Sequence, residues 1–311
     1  METFYTIINQ VILMFLLIIV GFAAFKVKLI NKDGISQIMT ILLSFVMPSI
    51  VIYSYLRPFE VGLAINLGKM MVLSICMHAF MIIFTALIYR DKTDIKQVSL
   101  RASVIYTNGG FFAIPIVIGI FGDLGAFLGF ANVSIFNFLV WTHLIYIVTG
   151  DKAAMSFKRS FFNPATISLL IGLALFFLPI TLPDLVIRPI GLIAGMVTPL
   201  SMLATGALMA QVDIVGALKN ASVHMAVLLR LVVVPILFLG ALWLIMQVMP
   251  LDSKVVQIIM IQAAAPSAVV PGLMMMRHGK DPTYSSILLA LTSILSVITL
   301  PLILILTQFI L

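Results

Sequence analysis

Tyr106-Thr107-Asn108-Gly109-Gly110-Phe111-Phe112-Ala113-Ile114-Pro115 falls inside the fourth long apolar stretch of this chain, and Gln262-Ala263-Ala264-Ala265-Pro266-Ser267-Ala268-Val269-Val270-Pro271 falls inside the ninth. Both runs carry residues that end or bend a helix at a depth where hydrocarbon offers no hydrogen bonds to freed backbone groups. Matched interruptions in two halves of a membrane chain point to a solute-binding centre. Proline and glycine in one membrane helix are common packing devices, so the symmetry of the pair carries the inference.

The surrounding chain fixes the solvent. Hydrophobic residues make up 62% of the sequence and charged residues only 9%, which excludes a soluble domain. A net charge of +7 would suit a nucleic-acid partner if the basic residues formed one patch, but they stand at the ends of apolar runs, as topology signals do. No nucleic-acid partner and no metal are therefore expected. The lone Cys76 cannot form an intrachain disulfide. The first apolar run carries Glu2 before it and Lys26 and Lys28 after it, the wrong charge order for a cleaved secretory signal.

A span needs about 20 apolar residues. On that measure the sequence predicts ten, near residues 5–27, 35–56, 66–89, 99–121, 124–148, 163–180, 186–211, 220–248, 255–276 and 283–309. Lys26, Lys28, Lys32, Arg90, Lys92, Lys96, Arg101, Lys152, Lys158, Arg159, Lys219, Arg277 and Lys280 fall on one side of such a path, and only Arg57, Lys69, Arg188 and Lys254 on the other. The positive-inside rule then places both termini on the extracytoplasmic side.

The halves also superimpose. Pro115 and Pro271 are 156 residues apart and Pro48 and Pro199 are 151 apart. Residues 1–148 and 163–311 form the two repeats, joined by a cytoplasmic connection at 149–162. Five spans per repeat, an odd number, make the second repeat inverted. The expected fold is an all-α polytopic membrane protein of two inverted five-helix repeats, with broken spans 4 and 9 crossing near the midplane.

At such a crossing the second half of each broken span aims its amino end at the centre, and each end carries roughly half a positive charge. An anion is the favoured occupant. Asn108, Gly109, Gly110, Phe111 and Pro115 from one break, with Gln262, Pro266, Ser267 and Pro271 from the other, are the candidate binding residues. Arg230 lies about 15 Å into span 8, at 1.5 Å per residue. A buried cation there either meets the solute or neutralises the carbonyl ends of the first half-helices. His78, at the matching place in span 3, is a candidate proton-coupling group, or else a histidine bonded to its own backbone.

All eleven acidic residues fall in loops or at helix ends, which argues against an antiporter of the acidic-pair type. A sodium site would have to be built from neutral oxygens, with Asn132, Ser134, Asn137, Thr292, Ser293 and Ser296 as ligands, although interhelical hydrogen bonding is the preferred role for these residues. Neither a His-Glu-x-x-His helix nor a Gly-x-Ser-x-Gly turn occurs, so an intramembrane enzyme is not expected.

Asn108 to Pro115, Asn163-Pro164, Thr198 to Leu203 leading to Gly206, Arg230-Leu231 followed by Pro235, and Ala265-Pro266-Ser267 together resemble the auxin efflux carrier family over essentially the whole chain. The resemblance implies a homodimeric plasma-membrane carrier, working by alternating access in an elevator-like manner. In it spans 3–5 and 8–10 would move against a scaffold of spans 1, 2, 6 and 7. Plant members export auxin, whereas bacterial members resemble carriers of malate, malonate and related acids. The short 149–162 connection lacks the long cytoplasmic loop of the plant members. By position, Asn108, Pro115 and Pro271 would border the carboxylate. A sodium-coupled symporter resembling the bile-acid carriers is the alternative.

Overall fold

The computed structural model describes the backbone of residues 2–178, 180, 182–212 and 220–311, with the side chains of residues 2–4, 6 and 7 outside that description. Lys219, counted above among the basic residues, also lies outside it. Among the described residues every element is helical, apart from one isolated bridge. We number them α1 (Glu2–Lys26), α2 (Lys32–Tyr55), α3 (Val61–Ile88), α4 (Ile95–Ile105), α5 (Gly109–Thr149), α6 (Phe157–Phe161), α7 (Pro164–Phe177), α8 (Asp184–Met209), α9 (Ala221–Val248), α10 (Ser253–Ala264), α11 (Val270–Arg277) and α12 (Thr283–Ile310).

Eight runs are long and apolar enough to cross a membrane: Ile8–Lys26, Lys32–Tyr55, Val61–Ile88, Gly109–Thr149, Lys152–Phe177, Asp184–Met209, Ala221–Val248 and Thr283–Ile310. The difference from the ten expected arises where the chain is interrupted. α4, α10 and α11 have 11, 12 and 8 residues, each too short to span alone. α5 has 41 residues, which at about 1.5 Å each would reach twice the roughly 30 Å of a bilayer's hydrocarbon. Inside it two helices meet at a kink at Gly122, whose φ of 60° and ψ of −145° suit a residue without a Cβ.

Local chemistry sets the helix limits. Asn31, Asp94, Asn163 and Asp252 each accept a main-chain N–H in the first turn of α2, α4, α7 and α10. Three π-turns, at Leu42–Val46, Gly109–Ala113 and Leu229–Val233, end two residues before Pro48, Pro115 and Pro235. Proline lacks the N–H for the ordinary ladder and crowds the preceding turn, and a locally wider turn absorbs that mismatch.

Burial separates inner from outer helices. From Val98 to Ile105 α4 buries every residue but Arg101, and α10 buries every residue from Ile258 to Ala264. On α1 and α3, Leu16, Ile19, Val72, Ile75 and Ile83 point outward instead, as apolar side chains can where the surrounding solvent is lipid. α1 and α8 cross closely at two glycines. A Cβ on Gly21 would collide with the main chain of Leu203, and one on Gly206 with the main chain of Ile18. Small residues are what allow two membrane helices to bring their backbones together.

Gly206→Val is therefore expected to cost about 1–3 kcal/mol or more through overpacking, read as a lowered unfolding midpoint in detergent. Gly62→Ala, whose Cβ would meet nothing within 4 Å, leaves that midpoint no lower.

Candidate functional site

Two extended segments separate α4 from α5 and α10 from α11, and they lie side by side. Thr107 stands opposite Ser267 in an antiparallel bridge. The Asn108 N–H donates to the Pro266 carbonyl at 2.7 Å, and the Ala268 N–H donates to the Tyr106 carbonyl at 2.8 Å. The Ser267 N–H donates to Thr292 Oγ1 at 3.0 Å. Each interruption thus finds in the other the partners its own helix no longer supplies, as buried backbone groups require.

The sequence explains why the helices stop there. Ala265, placed before Pro266, takes φ −61° and ψ 152°, away from the helical region that a following proline disfavours. On the other side Gly109 and Gly110 admit neighbours that a side chain would exclude. A Cβ on Gly109 would lie 2.9 Å from Gln262 Oε1, and one on Gly110 would lie 3.2 Å from Met47 Cε.

Four helix ends consequently surround one bridge: the carboxyl ends of α4 and α10, and the amino ends of α5 and α11. Arg230, carried by the π-turn of α9 and 0% exposed, bonds the two carboxyl ends and neither amino end. Its Nε donates to the Ala265 carbonyl at 3.0 Å and one terminal nitrogen donates to the Val104 carbonyl at 3.0 Å. The other terminal nitrogen donates to the Ala263 carbonyl. Two carboxyl ends carry about half a negative charge each, so a single guanidinium offsets them. The amino ends keep their positive character.

Gln262 is likewise engaged by protein. Its Nε2 donates to the Gly129 carbonyl at 2.8 Å and its Oε1 accepts from Asn132 Nδ2, tying α10 to α5. Of the candidate coupling group, Ser293 is fully buried on α12, and Asn137 is half-buried on α5. Phe111, Pro115 and Pro271 are buried, and the Pro115 carbonyl accepts from Gln10 Nε2 at 3.4 Å. Ser134 and Ser296 bond carbonyls of their own helices, at Phe130 and Ser293.

Several polar atoms at this place have no partner among the described residues. They are Thr107 Oγ1, Asn108 Nδ2, Asn132 Oδ1, Ser267 Oγ and Ser293 Oγ, on residues no more than 3% exposed. Leaving such a group unsatisfied costs about 1–3 kcal/mol, so a cluster of them makes this place the candidate site. His78 Nδ1 lies 2.9 Å from the Ser74 carbonyl, to which it donates, while its buried Nε2 has no partner among the described residues. Met81, one turn along α3, brings its sulfur 3.7 Å from Arg230.

A cavity of about 270 Å³ opens near the second extended segment. It lies between Lys32, Leu208 and Gln211 on one side and Val269, Gly272 and Ser286 on the other, reaching Val269 at the start of α11. Sequence reading singled out neither Thr107 nor the Asn132–Gln262 bond as part of the binding set. Thr107 could have been found from its position beside Asn108 inside the quoted run. The Asn132–Gln262 bond joins residues 130 apart and left no local signal.

The sequence profile of the family described as membrane transport protein matches residues 6–304, which include both extended segments. No curated protein matches the chain.

Arg230→Met keeps much of the side-chain volume but leaves three buried carbonyls without their donor. A loss of about 3 kcal/mol or more is expected in unfolding measurements, because removing one partner of a buried charged network strands the rest. Arg230→Lys retains the charge without the planar fork and should fall between the two.

Proposed function

Because the chain belongs to the membrane transport protein family, we propose that it carries small organic carboxylates across the plasma membrane by alternating access. One observation carries the reading. The positive amino ends of α5 and α11 meet beside Asn108 Nδ2, Thr107 Oγ1 and Ser267 Oγ, buried groups with no partner among the described residues. A carboxylate accepts hydrogen bonds from an amide N–H and from hydroxyls, and it gains from helix amino ends. Arg230 serves this site indirectly, because by neutralising the carboxyl ends of α4 and α10 it removes the opposing negative potential.

In this reading α4 with the first part of α5, and α10 with α11, are the broken fourth and ninth spans. They cross near the midplane of ten spans arranged as two inverted repeats, with both termini extracytoplasmic. Spans 3–5 and 8–10 form the moving body and spans 1, 2, 6 and 7 the scaffold of a homodimer. The cavity beside Lys32 runs between these two bodies toward the crossing, as an access route would, with a lysine at its side to attract an anion.

A coupled sodium ion is the second reading, favoured by the acceptor oxygens of Asn132, Ser267 and Ser293 that have no donor among the described residues. His78, with Nε2 open, is the group that would carry a proton instead.

Asn108→Ala is expected to lower kcat/KM for dicarboxylate counterflow in proteoliposomes by about 10- to 100-fold. That is the worth of one hydrogen bond to a charged group, about 1.5–3 kcal/mol. Ser267→Ala should lose less, and both should keep the unfolding midpoint. Unchanged kinetics in both variants would remove the carboxylate from this crossing. Replacing sodium with potassium in the same assay separates the two readings of coupling.

A further inference from the structure

At the end of the molecule where the basic residues gather, two arginines share one tryptophan. The Arg159 guanidinium carbon lies 5.7 Å from the centroid of the Trp141 ring, and the Arg277 guanidinium carbon lies 5.7 Å from the same centroid. The two charges therefore stand no more than twice that distance apart. Both side chains are exposed, and among the described residues neither guanidinium has a carboxylate or carbonyl partner. Two like charges held against one indole ring without a counter-charge favour an anion within reach of both.

The immediate surroundings are apolar and outward-facing. Phe157, Phe161 and Phe162, from the connection that carries Arg159, are 58%, 52% and 73% exposed. This arrangement is held in place from within. Phe138 packs against the rings of Phe157 and Phe161, each with centroids 6.1 Å apart, and the Ser156 N–H donates to the Trp141 carbonyl at 3.0 Å. Exposed phenylalanines beside unpaired arginines and a tryptophan combine an apolar wall with an anion seat, the pattern of a membrane interface.

We infer that Arg159, Arg277 and Trp141 seat the phosphate of an acidic phospholipid whose acyl chains run along Phe157, Phe161 and Phe162. Arginine suits the role because its planar fork meets two phosphate oxygens at once. A soluble phosphate would use the guanidinium groups but gain nothing from the phenylalanine wall, so the lipid is the occupant that accounts for both halves of the site. Arg159 belongs to the connection between the halves of the chain, and Arg277 ends α11, whose other end reaches the helix crossing. A lipid bound there bridges those two elements.

The chain has two tryptophans, so Trp243→Phe leaves Trp141 as the sole tryptophan, excited selectively at the red edge where tyrosine does not absorb. In vesicles holding brominated phosphatidylglycerol, Trp141 should be quenched about threefold or more beyond an equal fraction of brominated phosphatidylcholine, given the attraction of basic side chains for anionic lipid. The excess should vanish in Arg159→Gln/Arg277→Gln, and in the parent should shrink in about 1 M salt, where the screening length is about 3 Å. Equal quenching by both lipids, or an excess that survives the double substitution, overturns the site. If the double variant fails to reconstitute, an excess indifferent to salt overturns it equally. Inorganic phosphate that abolishes the excess would show a soluble-anion site and overturn the lipid.

Discussion

A single buried guanidinium sets the sign of the electric field at the centre of this protein. Where the two extended segments meet, four helix ends converge, and a symmetrical meeting of two amino and two carboxyl ends would nearly cancel. Arg230 breaks that symmetry by donating to the carbonyls of Val104, Ala263 and Ala265 and to nothing on the amino side. The carboxyl ends are neutralised with fixed geometry, and the amino ends of α5 and α11 keep their positive character. The cost of burying Arg230 is met by three backbone carbonyls whose own helices could not satisfy them, so cation and helix ends solve each other's problem.

The backbone bridge between Thr107 and Ser267 works with the same economy. Its two hydrogen bonds fasten segments that lie 160 residues apart in the chain, and the Ser267–Thr292 bond adds α12 to the junction. Gln262 and Asn132 then brace α10 against α5 next to Gly109, whose missing side chain leaves room for them. Among the described residues the side-chain atoms here that remain without a partner are Asn108 Nδ2, Asn132 Oδ1 and the hydroxyls of Thr107, Ser267 and Ser293.

Close packing gives the surrounding helices their positions. α1 and α8 touch through Gly21 and Gly206, and π-turns before Pro48, Pro115 and Pro235 let those helices pass a proline without ending. In a membrane, where apolar burial between helices gains little over contact with lipid, such backbone fit carries much of the specificity.

Composition alone required a multi-span membrane protein, and run length placed most apolar stretches, because exposure to lipid demands long apolar helices whatever their neighbours. The positions of Asn108-Gly109-Gly110 and Ala265-Pro266-Ser267 were also legible, since glycine and proline act on their own backbone. Other features depended on which segments meet in space. Arg230 had two readings in the sequence, and its three carbonyl partners are known only from the folded chain. The bond of Gln262 to Asn132, the kink at Gly122 inside one 41-residue run, and the seating of Arg159 and Arg277 on Trp141 left no periodic trace. Local chemistry writes helix ends into a sequence, whereas the partner of a buried charge is decided by a crossing between residues far apart in the chain.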